Sequence, residues 1–147
     1  MACKDWEELL QQLVDCKASV NVNQGMDIRF MTKAKQAMIN KSSITTLHFA
    51  WDNYPDTETF ERLKTFREGF ELDTRHLKVY VLTNFNTTHE QDLDRIYKLK
   101  KIGYDPYVMI FDKPNAPKIT RYLQRWCNNK FIFRSCDKFE NYDHRIG

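Results

Sequence analysis

Gln24, Arg29, Trp51, Asp52 and Asn84 are the residues whose types and places suit the grip of a small polar ligand. Arg29 could fork onto a carboxylate or phosphate, and Gln24 could hold a ribose hydroxyl. Trp51 could stack on a flat ring while Asp52 bonds its polar edges. Asn84, between Thr83 and Phe85, could bond an amide or a carboxylate. Each has a plainer reading. Asp27 and Arg29 could pair with each other, Trp51 could be a lid for the barrel end with Asp52 or Asn53 as a turn former, and Asn84 could bond its own loop. Asp112 and Lys113 read more simply as a surface pair.

These residues share a context. Each lies at or just past the end of a short apolar run: Ala18–Gln24, Ile44–Trp51, Lys78–Asn86 and Tyr107–Asp112. Segments with helical period separate the runs, near 32–40, 57–72, 89–102 and 117–128, and a further helix opens the chain at Asp5. Trp6, Leu9, Leu10, Leu13 and Val14 give that first helix one apolar face, and Asp5 with Glu8 suits a capping box. Thr32 is placed to cap the second helix, Gly103 to end the fourth and Pro117 to begin the fifth. The alternation predicts an α/β fold of βα units on a parallel sheet, either open and doubly wound or an arc of a barrel. Lys78–Leu82 is a near-continuous apolar run, which predicts a central strand covered on both faces. Phe131-Ile132-Phe133 reads as a fifth strand or a packed tail. In such folds ligands bind where strands end.

Composition narrows the classes. A chain of 147 residues predicts one domain, and 41% apolar with 14% aromatic residues can build a core. The formal charge of +3 does not by itself call for nucleic acid. No apolar run approaches the roughly 18 residues of a membrane span. Cys3, Cys16, Cys127 and Cys136 are not spaced as metal ligands, and no secretory signal is evident, so reduced thiols in the cytoplasm are expected. His48 sits inside a strand and reads as a satisfied core residue. No P-loop, GxGxxG or nucleophile with a recognisable base is present. Lys118, Arg121, Arg125, Lys130 and Arg134 form a basic tract with Tyr122 and Trp126 among them. Such a tract could hold a nucleic-acid strand, or it could be the wet face of an amphipathic helix.

Across about Asp5–Asp143 the sequence resembles the radical S-adenosylmethionine (radical SAM) superfamily. The resemblance is carried by Gln24-Gly25-Met26-Asp27-Ile28-Arg29, Leu47-His48-Phe49-Ala50-Trp51-Asp52-Asn53, Tyr80-Val81-Leu82-Thr83-Asn84-Phe85-Asn86 and Tyr107-Val108-Met109-Ile110-Phe111-Asp112-Lys113-Pro114-Asn115. It implies a (β/α)6 partial TIM-type barrel, of which this chain would be the C-terminal part. It implies a [4Fe–4S] cluster that cleaves S-adenosylmethionine to a 5′-deoxyadenosyl radical. By the same likeness Gln24, Arg29, Trp51, Asp52 and Asn84 fall where cofactor contacts are expected. The CxxxCxxC motif that holds the cluster in the family is missing from the sequence. The resemblance therefore implies a truncated or split copy, inactive alone, whose partner would be an N-terminal half carrying the cluster or a second copy of the chain.

Overall fold

Apolar runs alternating with helix-period segments do produce βα units. The computed structural model describes residues 4–70 and 73–145. Its elements in chain order are α1 (Trp6–Cys16), β1 (Val20–Met26), α2 (Lys33–Lys41), β2 (Ile44–Ala50), α3 (Thr57–Glu68), β3 (Leu77–Thr83), α4 (His89–Lys101), β4 (Asp105–Ile110), α5 (Lys118–Asn128) and α6 (Lys130–Ser135). The strands form one parallel sheet in the order β1-β2-β3-β4.

Helix boundaries follow local chemistry. Thr32 Oγ1 accepts from the Lys35 amide, and Thr88 with Gln91 closes a full capping box. Gly103 takes φ +87° and ends α4, with the Gly103 and Tyr104 amides bonding Lys100 and Leu99 carbonyls. Two sequence expectations fail. Asp5 stands at the start of α1 without a side-chain capping bond. Phe131-Ile132-Phe133 is a helix and not a fifth strand, because Asn129 accepts from the Phe131 and Ile132 amides and starts a new turn, while Phe133 packs into the core as the alternative of a packed tail expects.

A sequential strand order joined by crossovers of one hand puts the crossover helices α2, α3 and α4 on the same side of the sheet, and residues of α1, α5 and α6 join the cores there. Leu77, Val79 and Val81 of β3 share a core with Leu10, Ile39, Leu63, Phe66 and Leu99 from four helices. Val108 of β4 joins a second core with Ile96, Leu123, Trp126, Cys127 and Phe133. The alternate residues Lys78, Tyr80 and Leu82 are only half-buried, and Tyr107 and Met109 beside them are exposed. The expectation of a central strand covered on both faces is therefore corrected. One face is packed and the other is open.

Gly25 earns its place by crowding, not by an unusual φ. A Cβ there would stand 3.0 Å from Cδ2 of Tyr80. Tyr80 lies across the open face and donates its hydroxyl to the Asn23 carbonyl at 3.0 Å. His48 stacks on Tyr80 and its Nδ1 is 2.7 Å from the Val22 carbonyl, so it is the satisfied residue the sequence predicts.

Candidate functional site

Because the strands are parallel, the segments that follow them emerge on one edge of the sheet. Arg29 follows β1, Asp52 follows β2 and Asn84 follows β3. A cleft of about 360 Å³ opens there, lined by Gly25, Asp27, Arg29, Trp51, Asp52 and Asp56 among others. Arg29, Trp51 and Asp52 are thus brought together. Gln24, which lies within β1, and Asn84 do not line the cleft.

Arg29 is exposed but not idle. Its Nε and Nη2 donate to both carboxylate oxygens of Asp27, the shortest contact being 2.7 Å. The Arg29 amide also bonds Asp27, which caps the short turn Ile28–Phe30. This guanidinium holds the Asp27 carboxyl below its ordinary range, and Asp27 in turn raises the Arg29 pKa. Across the cleft Asp56 caps α3, accepting from the Thr59 hydroxyl at 2.6 Å and its amide at 3.0 Å. Those two bonds, the hydroxyl first, hold the Asp56 carboxyl low as well.

Both folded pKa values lie below the ordinary carboxylate value near 4, so their contribution is present above about pH 4 and fades as pH falls through the folded values. Asp56→Ala is expected to lower stability by about 0.5–2 kcal/mol at neutral pH, the cost of a lost N-cap. Urea unfolding of wild type and variant should show that gap narrowing at acid pH.

Trp51 is 3% exposed and stacks on Phe60 at 5.4 Å, so it is part of the core beneath the cleft. Its indole N–H meets no acceptor among the described residues. Asp52 is exposed to the cleft mouth. Asn84 adopts φ +61° and donates its amide to the Phe111 carbonyl at 3.0 Å, tying two rim loops together.

Beneath the rim lies a feature the sequence reading did not single out. Arg95 and Asp92 of α4 form a buried ion pair at 2.6 Å. Arg95 Nη1 donates to the Trp51 carbonyl and Nη2 to the Leu82 carbonyl, both at 2.6 Å. The Thr87 hydroxyl donates to Asp92. The clamp fixes the ends of β2 and β3, next to Asp52 and Asn84. The signal was available, because Asp92 and Arg95 fall in phase with Ile96 and Leu99 on the buried stripe of α4.

The basic tract is an amphipathic helix and its continuation. Leu123, Trp126 and Cys127 face the core, and Trp126 donates Nε1–H to the Cys136 carbonyl. Lys130 is bound to Asp105 at 2.7 Å. Lys118, Arg121, Arg125 and Arg134 are exposed, while the indole that would stack on a base is buried.

The three cysteines among the described residues lie apart. Cys16 is exposed at the end of α1, Cys136 is partly covered, and Cys127 lies in the core, where burial pushes its thiol up to about 12. Cys3 lies outside the described residues. Among the described residues no group of three or more His, Cys, Asp or Glu is arranged to hold a metal ion. Nor, among them, is any helix long and apolar enough to cross a membrane. No protein-family model, curated protein or solved structure matches the chain.

Proposed function

We propose that this chain is the later portion of a radical SAM-type partial (β/α) barrel that keeps a grip for the organic part of S-adenosylmethionine. The observation that carries the reading is the cleft at the strand ends, where Arg29, Trp51 and Asp52 meet. Its size is within the range of small-molecule sites, about 300–1,000 Å³. Its lining holds three carboxylates, Asp27, Asp52 and Asp56, against one guanidinium, Arg29. A net negative cleft suits a ligand whose sulfonium and ammonium outweigh its carboxylate. In this reading Arg29 turns part of its fork from Asp27 to that carboxylate, and Asp52 accepts from the ribose hydroxyls. Gln24 and Asn84 stand back from the cleft, and Asn84 ties the loop after β3 to the segment after β4.

A bound cluster would supply the reducing electron that cleaves the cofactor, but the sequence lacks the CxxxCxxC motif that holds it in the family, so no radical step is assigned to the chain. Its activity would need a cluster-bearing N-terminal half on another polypeptide. Calorimetric titration of the protein with S-adenosylmethionine tests the grip. Saturable binding is expected, weakened about 10–100-fold by Arg29→Ala, the loss of one charge-assisted bond of roughly 1.5–3 kcal/mol. Wild-type protein that takes up no S-adenosylmethionine, or an Arg29→Ala variant that binds as well as wild type, ends this reading.

A further inference from the structure

We propose that α5 and α6 bind a single strand of nucleic acid, with its phosphates along Lys118, Arg121 and Arg125 and a base on Phe131. Lys118, Arg121 and Arg125 stand at i, i+3 and i+7, so they share one stripe of α5. That stripe is exposed, while Thr120, Leu123, Trp126 and Cys127 are buried. A rise of 1.5 Å per residue spreads the three cations over about 10 Å. A stacked strand carries one phosphate per roughly 3.4 Å, so the row can face about three of them.

These charges are not spent within the protein. Past the start of β4, Asp105, Asp137 and Asp143 are each held by a cation, Lys130, Lys100 and Arg145. Lys118, Arg121, Arg125 and Arg134 have no carboxylate partner among the described residues. Arg121 donates to the Pro114 carbonyl at 2.7 Å and Arg125 to the His144 carbonyl at 3.4 Å. Carbonyls orient a guanidinium without neutralising it. Of the acids nearby, Asp112 accepts from Asn115 and Glu140 from the Tyr97 hydroxyl. Helix stability does not account for the row either. The first turn of α5 has no acid and begins with Lys118, the reverse of what the helix dipole favours. α4 has the favoured order, with Glu90 and Asp92 first and Lys98, Lys100 and Lys101 last.

α6 adds the ring. Phe131 is 88% exposed, more than any other large apolar side chain among the described residues. Arg134, three residues on, lies on the same face of α6 and is exposed. A bare ring beside a guanidinium is a stacking platform for a base, a part that the buried Trp126 cannot play. The large apolar side chains exposed on α5 and α6 are Ile119 and Phe131 alone, too few for an apolar face laid into lipid. None of these residues lines the cleft at the strand ends, so this surface does not depend on the cofactor reading.

Fluorescence anisotropy of labelled oligothymidylate and oligouridylate of about 20 nucleotides, longer than one such site, gives the test. Saturable binding at low ionic strength is expected. Its log affinity should fall with log salt at a slope of about −2, from three contacts at about −0.7 each. Arg121→Glu/Arg125→Glu should weaken binding about tenfold or more and bring the slope towards about −0.7. Phe131→Ala should weaken it about fivefold or more. Circular dichroism should not change, because all three side chains are exposed. Lys33→Glu/Lys64→Glu makes the same change of net charge at exposed positions on α2 and α3, and should leave binding intact. The tighter of the two oligonucleotides names the natural strand. A protein that takes up neither at low salt overturns the proposal. So does binding indifferent to the α5 pair, or weakened as much by the α2 and α3 pair. Phe131→Ala protein that binds as well as wild type overturns the stacking role. Protein that ignores both strands but sediments with phosphatidylserine vesicles overturns the proposal in favour of a membrane surface.

Discussion

Arg95→Met is expected to destabilise the protein by about 3–5 kcal/mol, the cost of breaking a buried ion pair from one side. Arg95 has no exposed side-chain surface and Asp92 almost none. The variant would strand the Asp92 carboxylate and leave the Trp51 and Leu82 carbonyls without the donors that now hold them. Urea unfolding gives the measurement. Adding Asp92→Leu to Arg95→Met should recover part of the loss, because two apolar side chains replace a charge left alone. A loss no greater than a surface substitution would mean that the clamp is dispensable. The same arginine joins the ends of two strands whose next residues form the rim. Loosened strand ends should therefore weaken S-adenosylmethionine binding under conditions where the variant is still folded.

Trp126→Ala is the second large effect, about 3–5 kcal/mol for a fully buried aromatic. Trp126 meets Tyr97, Phe133 and Phe139 edge-on and donates to the Cys136 carbonyl. It is the hub that fastens α6 and the following segment to α4 and α5. Its removal should release the 130–142 region before the rest, so amides there should lose hydrogen-exchange protection while those of β2 and β3 keep theirs. Trp126→Phe should cost less, since much of the ring contact survives and only the indole bond is lost. Equal costs for the two variants would put the stabilisation in the hydrogen bond and not in the packing.

The sequence carried much of this. The βα alternation was legible because helical and strand periods differ and because a polar cap at Thr32 and a glycine at Gly103 mark where elements begin and end. The shared edge for Arg29, Asp52 and Asn84 followed from the same alternation, since consecutive parallel strands must end on one side. The local pairing of Asp27 with Arg29 was also readable, as two opposite charges two residues apart on a tight turn. The bare face was not readable from Lys78–Leu82. A run of apolar residues looks the same whether both faces are packed or one is open, and only strand order tells them apart.

What the sequence settled by itself was therefore local: the type of each element from α1 to α5, the caps at Thr32 and Gly103, and the side of the sheet on which its polar ends would lie. Tertiary structure alone decided that the helices pack on one face of the sheet, that Arg95 is buried as a clamp, and that Trp51 belongs to the core. These depend on contacts between residues far apart in the chain. Periodicity records a residue's phase within its own element, not which distant element it will meet.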